Sequence, residues 1–451
     1  MIPAVLNGSL VITMTHDHDN NLARSASSLS PLFLFVDLNS YFATAEQQAN
    51  TRLRGVPVGV CEHSGGIILA ASREAKLLGI KTGTPTWEAK KICPNIVLLP
   101  VDPSKIRALT SRFYRIAEDY SNDVEHVSVD EVSINLGLCS YPAAVKMAKE
   151  IKQRIKEDMG EWITASVGIA ESRLLAKIGT ELQKPDGLVV ITDGTRIRNG
   201  LNTDNTVKVI EKKDLYELLD LQDVPGIGPK LKLSLASHGI TTLKQLSRVS
   251  LDILHSWYGV SGVWLYDLSH FIDAWREVDL DDRDVKSIGH QFALGKKNAL
   301  YDKQKVLGLF WKLTEKVTAR MRGQGMVGNT VSVYFGYAGG GGIGGSRRTH
   351  DLFDDTPSVA KVAETWLQQI KFNNGITFLS ITVSGLSSGV DQGVLFSDFK
   401  RKKEVPQAID KINKRFGDFT VKYAPTIHAD DKASDTVGFG RTRERKNWRE
   451  E

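Results

Sequence analysis

Asp37 closes an apolar run, Leu32-Phe33-Leu34-Phe35-Val36, and a second strand-like run far downstream, Val127-Ser128-Val129-Asp130-Glu131-Val132, carries two more acids. Gathered at one end of a sheet, three carboxylates form the oxygen-rich donor set that hard divalent ions such as Mg²⁺ prefer. Two such ions can clamp the attacking and leaving oxygens of an in-line displacement, which is the chemistry of phosphoryl and nucleotidyl transfer. The bare spacing does not demand this, because an Asp after a strand and an Asp-Glu pair also serve as plain turn-formers. Neighbouring side chains of a regular strand point to opposite faces, so Asp130 and Glu131 can serve one ion cluster only if the backbone turns or twists there. A break or hairpin turn is expected at that dipeptide.

The elements that must position these acids follow from periodicity and punctuation. Segments 56–61 and 67–71 are short β-branched or apolar runs around the turn material His63-Ser64-Gly65-Gly66, and read as a hairpin. Residues 73–78 are helix-like up to Gly79, and 85–91 form another helix ending before Pro94. Helical patterns at 106–120 and 143–159, a strand at 164–170 and a helix at 171–183 alternate as in a mixed sheet covered by helices.

With 451 residues the chain exceeds one core, so several domains are expected. A hydrophobic share of 41% and a charged share of 25% are those of ordinary globular protein, and a net charge of +5 is compatible with a polyanion partner without requiring one. Cys61, Cys93 and Cys139 are odd in number and lack Cys-x-x-Cys spacing, as expected of reduced thiols in a cytoplasmic protein. No apolar stretch reaches membrane-spanning length. The polar start, with His16-Asp17-His18-Asp19, reads as a disordered extension rather than a metal site or secretion signal.

The segment Asp37-Leu38-Asn39-Ser40-Tyr41-Phe42-Ala43-Thr44-Ala45-Glu46 takes the chain from strand to helix, with two aromatics just past the acid. It resembles the first motif of the Y-family translesion DNA polymerases, a group that includes bacterial polymerase IV and the UmuC subunit of polymerase V. Ser128-Val129-Asp130-Glu131 is similar to that family's Ser-x-Asp-Glu signature, and the resemblance continues in the family's order through 32–425. The stretch from Arg73 to Pro85 resembles the fingers signature, in which basic side chains close over the incoming nucleotide's phosphates. Lys76 stands at its usual basic position, and Arg73 stands where many members carry Tyr. Gln183-Lys184-Pro185-Asp186-Gly187 is similar to the Lys-Pro-x-Gly motif, which makes Lys184 a second candidate for the triphosphate. Taken alone, Arg73 and Lys76 read as a solvated helix face and Lys184 as a lysine complementing a helix C-terminus.

Val224-Pro225-Gly226-Ile227-Gly228-Pro229-Lys230 resembles a helix-hairpin-helix, in which glycines expose backbone N–H groups and a helix N-terminus to a DNA phosphate. Gly226, Gly228 and Lys230 are therefore DNA-contact candidates that hold the duplex without reading bases. Arg347-Arg348, after a Gly-rich turn at 339–345, are candidates for template phosphates. Gln392-Gly393-Val394-Leu395-Phe396 resembles the peptide by which bacterial polymerases bind the sliding clamp, with Gln392, Leu395 and Phe396 as contacts.

The resemblance implies an α/β multidomain chain of the right-hand polymerase type: a mixed-sheet palm (31–40 and 102–191), small fingers (41–101), a helical thumb containing the helix-hairpin-helix (192–276), a linker (277–286) and an α/β little finger (287–425). A disordered extension (1–30) and a basic tail (426–451) flank these. It also implies that Asp37, Asp130, Glu131 and the Leu38 carbonyl hold two Mg²⁺ ions. Arg73, Lys76 and Lys184 would bind dNTP phosphates, while Tyr41 and Phe42 lie at the sugar, Phe42 as a steric gate against ribonucleotides. Primer-template DNA, dNTP and the sliding clamp are the expected partners of a monomer. No segment reads as a proofreading exonuclease. Two other readings share parts of this pattern: a noncatalytic DNA-binding relative that keeps the scaffold, and a metal nuclease, which would need neither Phe42 nor a lysine set for triphosphates.

Overall fold

The apolar run ahead of Asp37 is buried on both faces, which explains why it does not alternate with polar residues. In the computed structural model, which describes residues 30–61, 66–194, 206–273, 285–295, 298–388, 397–417 and 419–429, it forms the strand Ser30–Leu38. That strand lies within a six-stranded mixed sheet ordered Val124–Ser128, Glu131–Cys139, Ser30–Leu38, Ala165–Ala170, Leu188–Thr192, Lys208–Glu211. It is antiparallel to both neighbours, while the last two strands are added in parallel. Phe35 packs into the core shared with the helix Arg173–Glu181. Its alternating neighbours Leu34 and Val36 are fully buried on the other side, where the helices Pro103–Glu118 and Tyr141–Met159 lie. The described residues form two compact units, 30–54 with 102–273 and 55–101 with 285–429.

In the first unit Gly168 lets the helix Arg173–Glu181 press onto the sheet, since a Cβ there would stand 1.9 Å from the Ala176 carbonyl oxygen. The residue after Ala176 is Lys177, which is thereby set down beside the end of the strand Ser30–Leu38. The same core continues into a helical region made of Pro229–Ser237, Leu251–Tyr258 and Val260–Ser269 through Leu221, Val224, Ile227, Leu235, Leu254 and Leu265. Asp273, at the end of that region, accepts a hydrogen bond from the Arg173 amide at 2.8 Å and so satisfies an orphan donor at the start of the Arg173–Glu181 helix. The short helix Tyr41–Ala49 also belongs to this unit, with the Tyr41 hydroxyl donating to the Ile106 carbonyl at 3.1 Å.

The second unit contains two sheets. Val58–Cys61 pairs antiparallel with Ile68–Ala71, as the hairpin expectation has it, and parallel with Val97–Pro100. The helices Arg73–Leu77 and Thr86–Ile92 accompany this sheet, whose small core is Ile68, Ala71, Ala75, Ile80, Ala89 and Ile96. The larger sheet is ordered Ser287–Ala293, Ile376–Ser384, Met326–Tyr337, Gly342–Phe353 and is backed by the helices Lys303–Gly323 and Thr356–Leu367. The expected turn at 339–345 is shorter than its glycines suggest. Gly342, Gly344 and Gly345 pair with Gly336, Tyr334 and Val333, so ladder hydrogen bonds override the low strand preference of glycine. A helix not anticipated from sequence, Ser397–Phe416, returns to this unit, where Arg322 grips Asp410 with both Nε (2.7 Å) and Nη2 (2.8 Å).

Among the described residues no helix is long and apolar enough to cross a membrane, and Cys61, Cys93 and Cys139 are free thiols.

Candidate active site

The break expected at Asp130-Glu131 exists. The strand Val124–Ser128 ends, Val129 and Asp130 make the turn, and Glu131 opens the returning strand. Side-chain hydrogen bonds hold the turn: Thr110 Oγ1 to the Val129 carbonyl (3.0 Å), the Tyr114 hydroxyl to the Ser128 carbonyl (2.9 Å), Ser128 Oγ to Asp130 Oδ1 (2.5 Å), and the Asp130 amide to Ser128 Oγ (3.4 Å). The Leu38 amide donates to the Asp130 carbonyl at 2.9 Å, which stitches the turn to the end of the first strand. Asp37 and Glu131 are direct cross-strand partners and therefore share a sheet face.

That face carries a cation of the protein's own. Lys177 Nζ lies 2.7 Å from Asp37 Oδ2, 2.5 Å from Glu131 Oε1 and 3.2 Å from Glu181 Oε1. Lys184 Nζ lies 3.0 Å from Asp37 Oδ2 and 2.8 Å from Glu181 Oε1. Among the described residues, no three acidic, imidazole or thiol side chains converge into a ready-made metal cage; the Lys177 ammonium is what Asp37 and Glu131 hold between them. Lys184 was expected at the site from its motif, whereas Lys177 was not. Its signal lay in the spacing Lys177, Glu181, Lys184, which puts all three on one face around a helix end.

Burial shapes the charges. It would raise the Asp37 carboxyl, but the ammonium groups of Lys177 and Lys184 outweigh it and hold that carboxyl below its ordinary value. Glu131, for which burial dominates even against Lys177, is pushed up to about 7. Asp130 is also raised, first by burial, against its bond from Ser128 and with the charge of Asp37 adding to the effect. Burial would lower Lys177, yet Asp37, Glu131 and Glu181 together keep it above the usual lysine value and therefore charged.

The chain leaves Asp37 through a strained residue. Ser40 adopts φ 51° and ψ 38°, a left-handed conformation uncommon without glycine, and the helix Tyr41–Ala49 starts at the next position. Asn39 anchors this corner: its Oδ1 accepts from Ser166 Oγ at 2.9 Å and its backbone carbonyl accepts from Thr44 Oγ1 at 3.1 Å. Tyr41 and Phe42 are both buried, with ring centroids 5.7 Å apart. Tyr41 turns its hydroxyl to Ile106 and Thr110.

The hairpin residues lie beside the carboxylate face. A groove of about 600 Å³ is lined by Lys177 and Glu181 on one side and by residues 222–228 on the other. Gly226 has φ 102°, and a Cβ there would come 2.4 Å from the Trp264 ring, so only glycine fits. Gly228 caps the helix Pro229–Ser237 without a side-chain acceptor, and Lys230 lies exposed in its first turn, whose amides lack intrahelical partners.

Arg73 and Lys76 lie exposed on the helix Arg73–Leu77 of the second unit. In the same unit the sheet separates Arg347 from Arg348. Arg347 pairs with buried Val331, stacks over Trp366 at 5.6 Å and donates to Thr365 Oγ1 at 2.9 Å. Arg348 pairs with Thr330 on the opposite, polar face, which Ser332, Tyr334, Ser380 and Thr382 continue. Gln392, Leu395 and Phe396 lie outside the described residues.

Family models match this chain in three stretches: "impB/mucB/samB family" over 36–181, its C-terminal domain over 285–395, and "SAM-like Helix-hairpin-helix tandem" over 218–261. A protein of Moorella thermoacetica named DNA polymerase IV is 32% identical, across 87% of this chain and 96% of its own length. One of the same name from Pelotomaculum thermopropionicum is 30% identical, across 87% and 95%. A solved Y-family DNA polymerase chimera superposes with a TM-score of 0.62 at 22% identity, over 78% of this chain and 98% of that one, and so shares the fold. Matches that follow one another from 36 to 395 and relatives this similar over nearly their whole length lead to one conclusion: the chain belongs to the Y family of DNA polymerases, matched here as the impB/mucB/samB family, and is a DNA-directed DNA polymerase.

Proposed function

We propose that this polymerase extends a primer past damaged template bases by transferring nucleotides from dNTPs to the primer 3′-hydroxyl, with Asp37, Asp130, Glu131 and the Leu38 carbonyl holding two Mg²⁺ ions. The observation that carries the reading is the pairing of Asp37 with Glu131 around a shared cation, the Lys177 ammonium, next to a rigid turn bearing Asp130. An all-oxygen donor set that already chelates a positive charge fits a hard divalent ion. When bound, the ions would lower the pKa of the 3′-hydroxyl and neutralise charge on the triphosphate and departing pyrophosphate.

The chain's own residues supply the rest. Lys184, with Lys76 and Arg73, binds the triphosphate. Phe42, buried at the start of the helix Tyr41–Ala49 with the Tyr41 ring 5.7 Å away, bars a 2′-hydroxyl by its bulk. Gly226, Gly228 and Lys230 hold backbone phosphates of the duplex, and Arg348 adds a phosphate contact from the little finger, with Arg347 behind it. Gln392, Leu395 and Phe396 tether the enzyme, a cytoplasmic monomer, to a sliding clamp. With all three acids standing, nothing favours the noncatalytic alternative.

Primer extension with Mg²⁺ and dNTPs tests the reading. The parent should extend a primer across from a template lesion and Asp130→Ala should not, although both bind primer-template. A parent that binds primer-template and never extends it refutes the assignment. Unchanged discrimination against ribonucleotides in Phe42→Ala would remove the gate alone.

A further inference from the structure

Lys177 and Lys184 share one arrangement. Each touches buried Asp37 on the inner side and the same oxygen of Glu181 on the outer side, at 3.2 Å for Lys177 and 2.8 Å for Lys184. Glu181 is the more accessible carboxylate, with its side chain 41% exposed against 8% for Asp37. It sits at the edge of the groove that runs to residues 222–228, one helical turn from Lys177. A lysine stem is flexible enough to trade one acceptor for another a few ångströms away.

We propose that Lys177 is a resident counter-ion, which holds Asp37 and Glu131 together while no divalent ion is bound and hands them over by swinging to Glu181 when one binds. The inference rests on the metal-site reading above. It gives Glu181 a positioning role, as the acceptor that receives the displaced ammonium and keeps it beside the groove. Two like-charged carboxylates facing each other across a strand pair repel, and an internal ammonium keeps the empty site folded without a metal. The same ammonium competes with the ion, so the site exchanges one cation for another rather than assembling from separated charges.

The test uses the full-length protein without DNA, at pH 8.5 so that protons do not take the lysine's place, with Mn²⁺ and Mg²⁺ as probes. Mn²⁺ binding is followed by electron paramagnetic resonance, and the reactivity of Lys177 toward an amine-acetylating reagent by mass spectrometry. Mg²⁺ should raise Lys177 acetylation severalfold in the parent. Lys177→Met should bind Mn²⁺ roughly tenfold more tightly than the parent, the scale of one close charge pair. Glu181→Gln, at a half-exposed position that tolerates the change, should bind it more weakly. Thermal unfolding of Lys177→Met should show a larger gain from Mg²⁺ than the parent shows. If the parent binds Mn²⁺ at a site that Asp37→Asn abolishes, yet Lys177 reactivity ignores the metal and Lys177→Met binds no tighter, the counter-ion role is wrong and the metal site stands. If no Mn²⁺ site depends on Asp37, the metal-site reading and the exchange fall together.

Discussion

Asp37 and Glu131 face each other as paired residues of adjacent antiparallel strands, yet burial and lysine contacts drive their proton affinities in opposite directions. One carboxylate is held ionised and the other retains a proton to about neutrality. Because folded Glu131 binds its proton more tightly than an ordinary glutamate, its contribution to the stability of the metal-free protein is lost as pH rises from the normal glutamate range to about 7. Asp37, whose folded value is lowered, contributes with the opposite sign, and only in more acidic solution. Denaturation midpoints from pH 4.5 to 8 should fall through that window in the parent and change less in Glu131→Gln. Divalent-ion affinity should rise over the same range, with protons released on binding, which calorimetry in buffers of different ionisation enthalpy will count.

Asp130 is also raised by burial, so its negative charge is costly until an ion arrives. Asp130→Asn keeps an oxygen for the Ser128 hydroxyl and should make the metal-free protein more stable at pH 8, on the order of 1 kcal/mol. The same variant should lose primer extension. Equal or lower stability in urea unfolding would contradict the cost assigned to the buried Asp130 charge.

Gly226 tests the hairpin. Alanine there must adopt φ 102° and press on the Trp264 ring, at an expected cost of about 2–3 kcal/mol. Primer-template affinity should fall along with the melting temperature, whereas Lys230→Ala should weaken binding and leave the melting temperature in place.

The two adjacent arginines should separate in experiment as they do in the sheet. Arg348→Ala should reduce DNA affinity and lower the salt dependence of binding by about one phosphate contact. Arg347→Ala should mainly cost stability, about 1 kcal/mol from the lost Trp366 stacking and Thr365 hydrogen bond. Matching losses of affinity in both variants would mean that both side chains reach DNA.

Asp410→Ala removes the carboxylate that grips the buried Arg322 guanidinium and leaves it the Asp354 carbonyl and the nearby Asp354 charge. A loss of about 2 kcal/mol is expected in chemical denaturation. No such loss would show that the helix Ser397–Phe416 is not a fixed part of the second unit.

Much of this protein was legible in its residues alone. The apolar run before Asp37 read as a strand, Asp130 and Glu131 could serve one ion cluster only across a turn, and the Pro-Gly-Ile-Gly order marked a hairpin between helices, because each reading draws on residues close together in the chain. Three things were decided by tertiary packing. Lys177 joined the carboxylates because Gly168 lets its helix press against the sheet, a contact between segments that the spacing of Lys177, Glu181 and Lys184 does not by itself specify. Gly342 to Gly345 became strand because a neighbour offered them a ladder. Arg347 and Arg348, equivalent on paper, were assigned opposite faces by strand register, and register is a property of the sheet rather than of the dipeptide.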